Sequence, residues 1–143
     1  MATRRTGSSR RSIARLLRSM NTEVEREVNK ALYVAGELMS VEAQISITTG
    51  AVSGKNHVPS RPGQPPNNDT GNLANLIETK LVRKLEVEVS SNADYSMALE
   101  FGNSRVAARP FMAPAANEKR GKAVRLVELA VKRALRNAAA RNN

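Results

Sequence analysis

The stretch ADYSMALEFGNSRVAARPFMAPA, residues 93–115, holds three of the chain's four aromatic side chains, Tyr95, Phe101 and Phe111. Aromatic side chains bury a large area each and anchor cores and interfaces. We therefore expect Tyr95, Phe101 and Phe111 to anchor the core, with the two phenylalanines holding a small sheet against a C-terminal helix. For the phenylalanines, an interface with a partner remains the alternative.

Two charged residues of the same stretch, Glu100 and Arg109, are candidates for an assembly contact. Pro110 disfavours helical geometry at the residue before it, so Arg109 is held in an extended segment. A guanidinium fixed in this way suits a two-pronged contact with a carboxylate, and Glu100 is the candidate. The contact could form within one chain or between copies, and the sequence leaves both open. Pro110 and Arg61 complete the predicted interface set.

A long helix is predicted in the first third of the chain, where apolar residues recur at helical spacing. We expect it over residues 21–47, with a helical extension over 10–18. Thr22 followed by Glu25 matches a capping box at its start. A helix of this length would span about 40 Å. The residues before it, 1–9, are predicted to form a basic arm.

The segment 49–70 is predicted to be a long loop because it is rich in glycine and proline. A loop of this length is either functional or disordered. Its prolines, together with Arg61, favour an extended arm that lies on a neighbouring chain. A mobile loop is the alternative.

Two short strands and a second long helix are predicted after the loop. Residues 80–83 and 85–90 predict an antiparallel hairpin, since apolar and polar side chains alternate in the second segment. Residues 93–101 fit either a helix or a third strand. A C-terminal helix is predicted from Pro114 to about residue 140. Its apolar residues are Val124, Val127, Leu129, Val131 and Leu135. The whole is a single α+β domain over residues 10–140, with a tail at 141–143.

The excess positive charge of the chain is concentrated at its two ends. There are 23 Lys and Arg against 13 Asp and Glu, a formal net charge of +10. Clustered positive charge is sufficient for non-specific contact with phosphates. The candidate DNA contacts near the N-terminus are therefore Arg4, Arg5, Arg10 and Arg11. Aromatic side chains are too few to provide a stacking platform for single strands.

The sequence offers no catalytic or metal-binding pattern. It has no cysteine, and its one histidine, His57, lies in the predicted loop. The absence of cysteine excludes a thiolate nucleophile and a Cys-based zinc site. The glycines match neither a phosphate loop nor a dinucleotide fingerprint. We expect no enzyme activity, no cofactor and no metal, and the lack of a long apolar run predicts no membrane span.

Two stretches of the chain resemble the head–tail connector and tail-completion proteins of long-tailed bacteriophages. The first is LEFGNSRVAARPFMAPA, Leu99 to Ala115, in which Glu-Phe-Gly, a polar loop and Ala-Arg-Pro-Phe precede Pro-Ala at the start of a helix. The second is SRPGQPPNNDTGNL, Ser60 to Leu73, a Pro-rich loop that ends in Thr-Gly-x-Leu. The resemblance covers roughly residues 24–131 and departs from the family pattern at Asn103, where Thr or Ser is expected. The matching residues around the first stretch are Tyr95, Glu100, Phe101, Gly102, Ala108, Arg109, Pro110, Phe111, Pro114 and Ala115.

This resemblance implies a structural protein of the virion, assembled in the host cytoplasm and located in the neck or upper tail. Copies would form a ring, with sixfold symmetry favoured, that completes the tail and joins it to the filled head. The partners would be copies of the chain and the other neck, connector and tail-tube proteins, with packaged DNA contacted only non-specifically. The residues alone leave two other classes open, a non-specific DNA-binding or packaging protein with basic arms and an interaction module such as an antitoxin-like regulator.

Overall fold

The computed structural model describes residues 6–49, 54–67, 69 and 71–141. Two long helices and a two-stranded antiparallel sheet confirm the α+β class. The elements are α1 (Thr6–Thr48), a 3-10 turn (Gly54–Asn56), α2 (Asn72–Asn75), β1 (Ile77–Arg83), β2 (Glu86–Ser91), α3 (Ser96–Phe101) and α4 (Met112–Ala140).

Helix α1 is continuous and begins earlier than the sequence predicted. Residues 6–9, assigned to the basic arm, already belong to the helix. Arg10 and Arg11 lie on α1, and the break predicted between residues 18 and 21 is absent. Arg4 and Arg5 lie outside the described residues, as do the last two residues of the tail.

Helices α1 and α4 pack against each other in an antiparallel arrangement. Lys119, near the start of α4, lies 3.2 Å from Glu42, near the end of α1. At the opposite end, Arg141 forms an ion pair with Glu23. The separation between two helices depends on the side chains between them, so small residues permit a close approach.

The buried face of α4 consists of alanines. Its four buried residues are Ala115, Ala123, Ala134 and Ala138. Of the apolar residues predicted for this helix, Val124, Leu129 and Leu135 are at least half exposed, whereas Val127 and Val131 are half-buried. The small side chains fit between the helices, which leaves these three larger ones outside.

The core lies where the end of α1 meets α2, the start of β1 and the start of α4. Phe111 and Ile47 are its largest fully buried side chains. Its members are Ala43, Ile47, Leu73, Ala74, Ile77, Ala93, Phe111 and Ala115. Phe111 thus occupies the core position expected of it.

Tyr95 and Phe101 do not anchor the core of the chain, contrary to the expectation from sequence. Tyr95 is 49% exposed and Phe101 is 74% exposed. The reason is the orientation of the short helix α3. Ser96 is buried and Leu99 packs on the core. Met97 and Phe101 are four residues apart and therefore lie on the same face of α3, the face that points away from the core.

The sheet is a single hairpin that lies across α1. Ile77 pairs with Ser91 at the open end, and Leu81 pairs with Val87 near the turn. The third strand considered for residues 93–101 is replaced by α3. Gly36 allows the close approach, because a Cβ there would lie 2.7 Å from a methyl carbon of Thr79.

Candidate assembly site

Glu100 joins the end of α3 to the start of α4. Its carboxylate accepts hydrogen bonds from the backbone N–H groups of Phe111 (2.8 Å), Met112 (3.0 Å) and Ala113 (2.9 Å). The first N–H groups of a helix have no partner within the helix. A negative charge at that end is also favoured by the helix dipole. Glu100 therefore caps α4 from eleven or more residues away along the chain.

Arg109 binds the Pro-rich loop. Its Nε donates to the carbonyl of Ser60 (3.1 Å) and one Nη donates to the carbonyl of Ala107 (3.3 Å). Its backbone N–H donates to the carbonyl of Leu99 (2.6 Å). The predicted Glu100–Arg109 pair is therefore wrong within one chain. Backbone N–H groups at the start of α4 bind the carboxylate, whereas the guanidinium binds the carbonyls of Ser60 and Ala107.

The loop between α3 and α4 is held by its own backbone and by Asn103. The Asn103 Oδ1 accepts from the N–H groups of Arg105 and Val106, each at 2.8 Å. Serine and threonine hydroxyls make the same kind of local turn. Gly102 has a φ of 72°, and a Cβ there would lie 2.9 Å from the nitrogen of Ala108. Only glycine fits this position without strain.

Arg61 begins a tight turn in the Pro-rich loop. The N–H of Gln64 donates to its carbonyl at 3.1 Å, and Gly63 has a φ of 84°. Proline followed by a glycine with positive φ is the pattern of a type II turn. The N–H of Gly63 donates to the carbonyl of Ala108 at 2.8 Å. The Arg61 side chain is exposed, and Pro110 is half-buried beside Phe111.

An apolar groove of about 840 Å³ lies between β2, α3 and α4, with α1 as its floor. Met97, Phe101 and Val124 line it and are each at least half exposed. Its charged lining residues are Glu100 and Glu128. We call this surface the acidic groove.

A second apolar depression, of about 750 Å³, lies between α1 and β1 beside the hairpin turn. Tyr33, Val34 and Leu81 line it and are each exposed by between 40 and 50%. Its charged lining residues are Glu25, Arg26, Lys30 and Lys84. We call this surface the basic face.

A smaller pocket of about 370 Å³ lies under the Pro-rich loop. His57 and Asp69 line it, with the Nδ1 and Oδ1 atoms 3.7 Å apart. Within the residues that the structure describes, no group of three or more His, Asp or Glu side chains is placed to hold a metal ion. Over the same residues, no helix is long and apolar enough to cross a membrane.

Of the predicted interface residues, Glu100, Arg109 and Pro110 come together with Phe111 at the α3–α4 junction. Arg61 lies next to this junction because Ser60 and Gly63 both bond to it. Residues outside 93–115 also line the two depressions, and among them the sequence did not single out Leu81 on β1 or Tyr33 on α1.

Comparisons with protein-family models, with curated proteins and with solved structures found no match. The function is therefore argued from the residues and geometry of this chain.

Proposed function

We propose that this chain is a structural protein of the neck or upper tail of a long-tailed bacteriophage, where its copies form a ring that completes the tail and joins it to the head. The observation that supports this proposal most directly is the distribution of apolar side chains. Alanines make up most of the buried apolar residues that the structure describes, while Met97, Phe101 and Leu135 are each more than half exposed. Contiguous exposed apolar surface marks sites of protein–protein contact.

The two stretches that carry the family resemblance also contact each other. Ser60 and Gly63 of the Pro-rich loop bond to Arg109 and Ala108 of the α3–α4 connection. Residues that lie far apart in sequence thus form one structural unit. This contact favours a shared architecture over a chance similarity of two short segments.

The mechanism of such a protein is assembly. A junction fixed by Glu100 and Phe111 presents the exposed residues of α3 and α4 in one rigid arrangement. Copies that use two different surfaces in head-to-tail contact close into a ring when the rotation between neighbours closes. The ring then offers one end to the connector and the other to the tail tube.

A non-specific DNA-binding or packaging role is the second candidate, favoured by the outward face of α4. Its exposed basic residues are Arg120, Lys122, Arg125, Lys132, Arg133 and Arg136. Binding that depends on phosphate contacts weakens steeply as salt rises. A ring held by buried apolar area persists at salt concentrations that remove DNA.

The test is electron microscopy of purified phage particles, gold-labelled through an epitope tag on this chain. We expect label at the junction of head and tail, and unjoined heads and tails when the gene carries an early stop codon. A tag on a capsid protein provides the control for label distribution. The proposal would be overturned if phage that lack the chain still formed joined, infectious particles. It would also be overturned if the gold label were confined to DNA.

A further inference from the structure

We infer that the acidic groove of one copy binds the basic face of the next copy, so that the two depressions are the two halves of one head-to-tail contact. The inference rests on the proposed ring and names the surfaces through which it closes. The occupant of the acidic groove is a second copy of this chain.

The two depressions lie on one face of the hairpin, on either side of α1, since Leu81 and Val87 are a cross-strand pair. The acidic groove uses Leu32 and Met39 of α1 with Val87 of β2, whereas the basic face uses Tyr33 of α1 with Leu81 of β1. Consecutive residues of a helix point about 100° apart, so Leu32 and Tyr33 serve different neighbours. One copy can therefore engage two others at once, as every member of a closed ring must.

The two depressions differ in their charged side chains: glutamates alone line the acidic groove, whereas three basic side chains line the basic face. The lining of the acidic groove carries Glu100 and Glu128, a charge of −2. The lining of the basic face carries Arg26, Lys30, Lys84 and Glu25. Its basic side chains form ion pairs with glutamates of α1, which are Glu23, Glu25 and Glu27. Contact of one acidic groove with another would bring glutamates together, whereas contact with the basic face pairs opposite charges. Electrostatic complementarity of this kind selects the orientation of partners.

The basic residues of this face are held by ion pairs at the surface, and Arg26 lies 3.7 Å from Glu27 and 3.9 Å from Glu23. Lys30 pairs with Glu27 at 3.3 Å and Lys84 pairs with Glu25 at 3.5 Å, and both lysine side chains are exposed. Exposed ion pairs contribute little to stability, so they exchange readily for contacts with another chain.

Each depression has an apolar centre and a charged border. Phe101 and Met97 project beside the groove, and Tyr33 and Leu81 are exposed on the basic face. An apolar centre within a polar rim is the usual arrangement of a specific protein interface. Shape and charge therefore point to the same pairing of surfaces.

The test uses two variants of the full chain, each damaged on one surface. Phe101→Asp places a carboxylate in the acidic groove, and Leu81→Asp places one on the basic face. Both residues are exposed, so the monomer fold should be retained, as circular dichroism will show. Val58→Asp, at a loop residue that is 65% exposed, is the matched control.

Native mass spectrometry of the parent chain and the control should show the same ring. Each surface variant alone should dissociate at concentrations at least about tenfold higher than the parent, the loss that corresponds to 1.4 kcal/mol. An equimolar mixture of the two variants should form one-to-one dimers and nothing larger, because only one intact groove and one intact face remain per pair.

Two results separate this inference from the proposed function. If the parent forms rings and both surface variants form them equally well, the contact lies elsewhere and the ring proposal stands. If the parent stays monomeric at all concentrations, the ring proposal fails and the inference fails with it. A mixture that remains monomeric would also overturn the head-to-tail pairing.

The chain has no cysteine, so single introduced cysteines report contacts cleanly. Copies with Phe101→Cys mixed with copies with Leu81→Cys should be joined by a short bismaleimide linker. Efficient linking of Phe101→Cys copies to one another would instead show that like surfaces meet, and would contradict the inference.

Discussion

Removal of the Glu100 carboxylate should destabilise the chain more than removal of any exposed glutamate. In the Glu100→Ala variant, three backbone N–H groups at the start of α4 lose their acceptor. Those of Phe111 and Met112 are partly buried, whereas that of Ala113 is exposed and can bond to water. The cost therefore comes mainly from the first two groups.

The magnitude follows from the nature of these bonds. A hydrogen bond to a charged group contributes about 1.5–3 kcal/mol, and an unsatisfied buried donor costs about 1–3 kcal/mol. Because one carboxylate serves all three donors, the contributions do not simply add. We expect a loss of about 2–4 kcal/mol in the free energy of unfolding, against a typical total of about 5–15 kcal/mol. Glu100→Gln keeps an acceptor oxygen and should lose less.

The assay is urea unfolding followed by far-ultraviolet circular dichroism, at a concentration at which the chain is monomeric. Glu118→Ala is the matched control, since Glu118 is an exposed glutamate of α4. Substitutions of exposed residues usually change the free energy of unfolding by no more than about 0.5 kcal/mol. If Glu100→Ala and Glu118→Ala have the same unfolding free energy, the cap does not stabilise the α3–α4 junction.

Three further outcomes are expected. Phe111→Ala should reduce the free energy of unfolding by about 3–5 kcal/mol in urea titrations, because the side chain is fully buried; an unchanged midpoint would contradict its core position. Gly36→Ala should lower the melting temperature, because the added Cβ would lie 2.8 Å from a methyl of Val87 and overpacking costs about 1–3 kcal/mol; equal melting would show that the hairpin moves aside freely. The hydrogen bond from Asn92 lowers the pKa of Glu78, with Lys80 acting in the same direction, so Asn92→Ala should raise that pKa in an NMR titration. Because the pKa is lowered in the folded state, the interaction stabilises the chain above the unfolded pKa and is lost as pH falls through the folded value, and an unshifted titration would refute it.

The long helices and the hairpin could be predicted because their signals are local. Apolar spacing defined α1, and alternation defined β2. The short helix α3 could not be assigned because six residues complete fewer than two turns, too few to show a period.

The exposure of Tyr95 and Phe101 could not be predicted from the sequence. Aromatic side chains prefer to be buried, but residue type does not reveal whether other parts of the chain pack over them. Phe101 would be buried, as aromatic side chains usually are, only if another chain covered it. The alanine face of α4 was missed for a related reason, since hydrophobicity alone ranks valine and leucine above alanine. The closeness of two helices is decided by side-chain size.

The role of Glu100 was also beyond local reasoning. Its partners lie eleven to thirteen residues away, and their donors are backbone atoms that every residue other than proline possesses. A glutamate two residues before Gly102, with a helix start that lacks a serine, threonine or aspartate cap, is the signal that could have indicated it.

The division between small buried and large exposed apolar residues has a consequence for how such a chain evolves. Replacement of a buried alanine by a larger residue would overpack the space between the helices, so we expect those positions to change slowly. The side chains at Met97, Phe101 and Leu81 contribute little to the monomer and are free to change in step with whatever they touch. A lineage can therefore acquire a new partner by altering a handful of outer positions while the scaffold that presents them is inherited intact.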